Sequence, residues 1–278
     1  MSFPKSILRL RLAVAATALV LLPVALSAQK ERGSTFDAAD FAKKSETAEW
    51  LVAYDEVAWK TSDIAMAEDK AEVAKLGTEW FCFQDAKKVW HAVYGKFVDG
   101  KYEMVFHYVF DSARKITKTT EKIDQDFLNS HARALITARK SLVSKLPANS
   151  PAFNQYIRLN ADKTFDVWML PAFQVDGTAV FGGEAVYKID ANGSKIIEDT
   201  SYFQKDFRGF KTTPPREIWL DYREVEKPTL GSIFFVLYYR SYFTRIFIDN
   251  SKSTSSIANG KDGYIWLNVE KTDQKKPN

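Results

Sequence analysis

Residues 89–110 read VWHAVYGKFVDGKYEMVFHYVF. β-Branched and aromatic residues crowd both sides of Asp99-Gly100, a composition suited to a pleated surface. Asp-Gly between two such runs predicts a two-residue hairpin turn, because aspartate tolerates and glycine readily adopts the positive φ that both central positions require. The turn sets a register in which Val98 faces Lys101 and Lys96 faces Glu103, an opposite-charge pair that supports it. That register collects Val89, His91, Val93, Phe97, Met104, Phe106, Tyr108 and Phe110 on one face, read as the core face. Trp90, Tyr94, Lys96, Glu103, His107 and Asp111 fall on the other, read as half solvated. His91 and His107 are thereby expected to point to opposite faces.

The pattern on either side of the hairpin differs. Upstream, Trp50, Leu51, Tyr54, Val57, Ala58, Thr61 and Ile64 recur at helical spacing, which predicts one or two helices over 37–75 with Asp37 as N-cap and an end near Gly77. A short strand is expected over 80–84. Downstream, Phe127, Leu128, His131, Leu135, Ala138 and Leu142 mark one side of a helix over 124–145, which Pro147 and Pro151 end. From residue 154 onward the chain reads as strands and turns. Strands are expected over 154–159, 164–174, 178–190, 195–202, 216–222, 232–239, 242–248 and 264–269. Turns are expected at 160–163, Asp176-Gly177 and Asn192-Gly193. If Asp176-Gly177 is a two-residue loop, Pro171 faces Gly182, and the sheet is expected to bend there. The fold class is therefore α+β: an antiparallel sheet of several hairpins with N-terminal helices and one mid-chain helix packed on it. The expected organisation is a leader over 1–28, a single domain over 29–270 and a polar tail over 271–278.

The leader rests on the N-terminal pattern. Lys5, Arg9 and Arg11 precede an uncharged apolar run over 12–22, Pro23 breaks it, and Ala25, Ser27 and Ala28 supply small residues for cleavage. This is the three-part layout of a secretory signal peptide, with cleavage after Ser27 or Ala28. The apolar run is shorter than the roughly 20 residues that span a bilayer. The chain has 39 Lys and Arg against 35 Asp and Glu. Three of those basic residues sit in the leader, so the remainder is nearly neutral. Nothing in that balance calls for a nucleic-acid partner. Cys82 is the single cysteine, so no intrachain disulfide forms. An exported, disulfide-free chain of this length fits a periplasmic location best.

Chemical motifs are sparse. The three histidines, His91, His107 and His131, carry no metal-binding spacing, and neither a metal nor a cofactor is expected. Cys82 stands among Trp80, Phe81 and Phe83, surroundings that make a thiol inert. There is no Gly-x-Ser-x-Gly and no phosphate-binding glycine loop. Asp190, Asn192, Ser194 and Glu198 mimic part of a calcium loop, but the obligatory glycine and closing glutamate are replaced by Lys195 and Ser201. Asp166, Glu184, Glu198 and Asp199 stand where strands can bring them beside Trp168, as paired carboxylates do in glycoside hydrolysis. The 19 residues over 230–248 are the most apolar stretch after the leader, crowded with aromatic and β-branched residues and interrupted by Arg240 and Arg245. They are read as two buried strands meeting near Arg240-Ser241, with an aromatic-and-arginine surface touching a membrane or a partner as the alternative. Trp168, Glu184 and Arg240 are the groove candidates.

Trp168-Met169-Leu170-Pro171, then Phe181-Gly182-Gly183-Glu184-Ala185-Val186-Tyr187 and Asp190-Ala191-Asn192-Gly193, resemble segments of exported bacterial proteins of uncharacterised function. The resemblance spans residues 156–206 and implies an exported β-rich domain, with no activity attached. The function expected is a periplasmic, non-catalytic binding or interaction domain for a small molecule or an envelope protein. The alternative is a cell-envelope hydrolase working through the sheet carboxylates.

Overall fold

The computed structural model describes residues 36–261 and 263–271. The leader over 1–28 and the tail beyond Lys271 lie outside the described residues. In chain order the elements are α1 (Ala38–Met66), α2 (Lys70–Val73), β1 (Glu79–Gln84), β2 (Trp90–Val98), β3 (Lys101–Phe110), β4 (Ile116–Lys118) and α3 (Gln125–Lys145). There follow β5 (Phe153–Leu159), β6 (Phe165–Pro171), β7 (Thr178–Ile189), β8 (Ile196–Asp199), β9 (Tyr202–Lys211) and β10 (Glu217–Tyr222). The last are α4 (Leu230–Tyr239), β11 (Arg245–Asn250), β12 (Ser253–Gly260) and β13 (Gly263–Glu270). The strands form three sheets, ordered β1-β2-β3-β4, β5-β6-β7-β8 with β9 also on β7, and β10-β11-β12-β13. The fold is α+β, as the hairpin pattern predicts.

The Asp99-Gly100 turn forms, with both φ angles positive. Lys96 and Glu103 pair at 3.2 Å. The predicted register then breaks. A bulge between Tyr94 and Gly95 moves the pairing by one residue, so Tyr94 faces Phe106 and Val93 faces His107. A one-residue slip exchanges the two faces of a strand. Trp90, Ala92, Tyr94, Phe106, Tyr108 and Phe110 therefore share one face in the cluster under α1. Phe81, Val93 and Tyr102 join Leu128 and Leu135 of α3 on the other. Both faces of the hairpin are buried, where one was expected to be half solvated. His91 and His107 consequently lie on the same face, with His91 Nδ1 and His107 Nε2 2.9 Å apart, against the expectation of opposite faces. Among the described residues, no three His, Cys, Asp or Glu side chains converge into a metal-binding group.

The helices follow their caps. The Asp37 carboxylate accepts from Asp40 N at 3.0 Å, and α1 buries Leu51, Tyr54, Val57 and Ala58 along one stripe. The exposed edge of β1 is closed by side chains instead of another strand. Tyr54 Oη accepts from Cys82 N at 2.8 Å, and Gln155 Nε2 donates to Trp80 O at 2.9 Å. Each satisfies a backbone group that burial would otherwise leave costly. Cys82 is fully buried beneath, and desolvation pushes its thiol well above the ordinary range.

On α3, Asp124 accepts from Phe127 N at 2.8 Å. His131 is buried between Phe81, Phe127 and Phe165, with ring centroids 4.9, 3.9 and 4.8 Å away. Burial pushes its imidazole down to about 4 from an ordinary 6.5. The folded pKa lies below the unfolded one, so the stability contributed by the neutral ring is complete above the unfolded value and is lost as pH falls toward 4. The His131→Phe variant is expected to lose less stability than wild type between neutral pH and pH 4, by up to about 3 kcal/mol. Urea melts at both pH values measure this, and identical pH slopes in the two proteins would refute it.

The segment over 230–239 departs most from expectation. It is a helix, not a strand. Thr229 accepts from Ser232 N at 3.2 Å as N-cap, the Glu184 carboxylate accepts from Gly231 N, and Leu230, Ile233, Phe234, Phe235, Val236, Leu237 and Tyr239 are all buried. A helix that is apolar all round belongs inside the protein, which accounts for the hydrophobicity of this stretch. α4 also serves as the crossover between β10 and β11, which pair in parallel; a parallel pair needs a long connection. β4, β9 and β12 are further elements beyond those expected. Gly182 does mark a bend, with positive φ and a register shift, but the shift is against β9, and Pro171 faces Phe153. Lys271, expected to begin the polar tail, is held by Asp249 at 2.6 Å.

Candidate functional site

α1 and α4 pack against one another, and each contributes to two grooves. The larger, of about 950 Å³, is lined by Val52, Asp55, Trp59 and Met66 of α1, Trp80 of β1, Tyr94 of β2, Asn154 and Phe173 around the second sheet, and Tyr238 and Tyr242 at the end of α4. Trp59, Trp80, Tyr94, Phe173, Tyr238 and Tyr242 give it an aromatic component among smaller apolar and polar residues. Met66 (64% exposed), Trp59 (48%), Tyr242 (40%) and Phe173 (37%) leave apolar surface open to solvent. Clustered apolar exposure around a concavity marks binding surfaces, whereas scattered single residues do not.

Asp55 is the one deeply buried carboxylate of this groove, 4% exposed. It sits on the inward side of α1 and accepts at Oδ1 from Tyr156 Oη (2.7 Å) and Asn154 Nδ2 (3.0 Å). Burial raises its pKa, and the hydrogen bonds from Tyr238, Tyr156 and Asn154 oppose that rise. The hydroxyl of Tyr239, whose ring packs on Phe173 and Tyr242, is buried with no hydrogen-bond partner among the described residues. No protein-family model, curated protein or solved structure matches this chain. The reading of the site therefore rests on its own geometry.

The second groove, of about 880 Å³, lies where the first turns of α1 approach β6, β7 and β8. It brings together Trp168, Glu184, Asp166 and Glu198, four of the residues singled out from the sequence. Trp168, Asp166 and Glu184 are already engaged. Trp168 is only 4% exposed, covered by the Arg158 guanidinium 5.0 Å from its ring centroid. Asp166 pairs with that same Arg158 at 3.2 Å. Glu198 faces Lys188 across the β7–β8 ladder. Asp199, the fourth carboxylate, is bound by Lys145. Glu184 is buried, and desolvation raises its pKa against the donors at the start of α4. Arg240 is elsewhere: it caps the C-terminus of α4 and stacks over Tyr264 at 4.9 Å. A ten-residue helix separates it from Glu184 by about 15 Å at 1.5 Å per residue.

Sequence reasoning did not single out Asp55, Asn154, Tyr156 or Tyr238. A signal for Asp55 was present. It lies four residues after Leu51 and three before Ala58, on the stripe that helical spacing makes apolar, and a carboxylate on such a stripe is buried by the same packing. Its hydroxyl and amide partners come from residues about a hundred positions away, which no local pattern reveals.

Proposed function

We propose that this chain is an exported, non-catalytic binding protein, periplasmic once its leader is removed, and that its ligand is a small molecule with an apolar face seated in the Trp59–Tyr242 groove. The observation that carries this reading is the aromatic wall itself, a concavity of about 950 Å³ with open rings at its rim and a few converging polar groups at its floor. Such sites bury most of a ligand against rings while sparse polar groups orient it. The engagement of Asp166, Glu184 and Asp199 by their own protein partners supports a binding role over a hydrolytic one.

A thermal-shift panel of sugars, peptidoglycan fragments, lipids, nucleotides and divalent metals tests it. A ligand at a hundredfold excess over its Kd raises stability by about 2.7 kcal/mol. The expected result is a shift from an amphipathic compound that disappears in the Trp59→Ala/Tyr242→Ala double variant. A shift that survives in that variant, or turnover of an envelope substrate abolished by a single carboxylate change, overturns the reading. Mass analysis of the exported chain, expected to start at Ala28 or Gln29, tests the leader.

A further inference from the structure

We infer that the groove ligand carries a cation, an ammonium or comparable group that comes to rest against Asp55 within the aromatic wall. This deepens the binding reading above and rests on it.

Charge complementarity is the first ground. Among the described residues, the groove lining includes Asp55 and Glu56 and no Lys, Arg or His. Glu56, at the rim, is already neutralised by Lys60 at 2.6 Å and by Arg114. Among the described residues Asp55 has no such partner: its hydrogen bonds come from the neutral groups of Tyr156 and Asn154. A buried carboxylate is costly unless a positive charge or a full set of donors compensates it. Both of those bonds end on Oδ1, and neither brings a positive charge to the acid. Burial alone disfavours the Asp55 anion, and a cation arriving in the groove would favour it, so the countercharge is left to come from the ligand.

The walls are the second ground. Trp59, Trp80, Tyr94, Phe173, Tyr238 and Tyr242 line the same space. Ring faces attract a cation, by about 0.5–1 kcal/mol where exposed and more where desolvated. An alkyl or aryl ammonium satisfies both features at once, with its apolar body against the rings and its charge toward Asp55. An anionic ligand meets repulsion from Asp55, and a neutral one leaves the carboxylate uncompensated.

The test uses three compounds of one shape: phenethylamine, 2-phenylethanol and phenylacetate, titrated calorimetrically into purified protein at neutral pH. The expected order is amine, then alcohol, then acid, with the amine at least about tenfold tighter than the alcohol. In the Asp55→Asn variant the amine's advantage is expected to vanish while alcohol binding stays within about threefold. Equal binding of amine and alcohol by wild type overturns the cation assignment and leaves the apolar groove reading intact. Binding by none of the three overturns both. Should Asp55→Asn fail to fold, the wild-type order of amine, alcohol and acid decides alone, and preference for phenylacetate is a refutation.

Discussion

Gly95→Ala is expected to destabilise the protein by about 3 kcal/mol, at the upper end of the cost of overpacking a rigid interior. Gly95 stands at the bulge where the β2–β3 register moves by one residue. A Cβ placed there overlaps the Glu103 carbonyl oxygen and lies 3.0 Å from Met104 Cα. Both are backbone atoms of a central strand, so no flexible side chain can yield. The neighbouring turn supplies the control. Gly100 has φ +80° and nothing within 4 Å of a Cβ. Gly100→Ala therefore carries only the conformational cost of a left-handed alanine, about 1 kcal/mol. Urea melts of the two variants separate the effects. If Gly95→Ala costs no more than Gly100→Ala, the bulge is not held as tightly as its contacts require.

Glu184→Ala is expected to cost about 2–3 kcal/mol, because it strips the acceptor from a buried donor at the start of α4. The Glu184 carboxylate, 6% exposed, accepts from Gly231 N, and the absence of a side chain at Gly231 leaves room for it. Glu184→Gln keeps an acceptor oxygen and the shape, so its cost is expected to be small. The two variants also differ in pH dependence. Burial raises the Glu184 pKa above its unfolded value. Its contribution is then complete below the unfolded pKa and is lost as pH rises through the folded one. Glutamine does not titrate. The stability advantage of wild type over Glu184→Gln is therefore expected to shrink, or change sign, as pH rises from about 4 upward. An advantage that grows with pH would mean that the carboxylate is held ionised, and the helix-capping account would need a nearby cation. Loss of an envelope-hydrolysing activity in Glu184→Gln with stability unchanged would instead restore the hydrolase reading.

Sequence alone determined the parts of this protein whose cause is local. Asp37 caps the helix it precedes, Asp99-Gly100 turns the hairpin, and the charge match of Lys96 with Glu103 holds near that turn, because each involves residues a few positions apart. Tertiary structure decided the rest. The bulge at Gly95 reverses the faces of the distal hairpin, so that both are buried and His91 meets His107; the pattern there, apolar on both faces, suits either register. The aromatic residues over 230–239 favour strands in isolation, yet Thr229, Glu184 and the surrounding core cap and bury them as a helix, because a complete shell of packing outweighs a propensity worth about 1 kcal/mol. Trp168 and Glu184 are drawn to one groove by strand pairing and then occupied by Arg158 and Gly231. Asp55 becomes the floor of the other groove only because Asn154, Tyr156 and Tyr238 converge on it from distant positions, and a carboxylate's surroundings are a property of the folded chain.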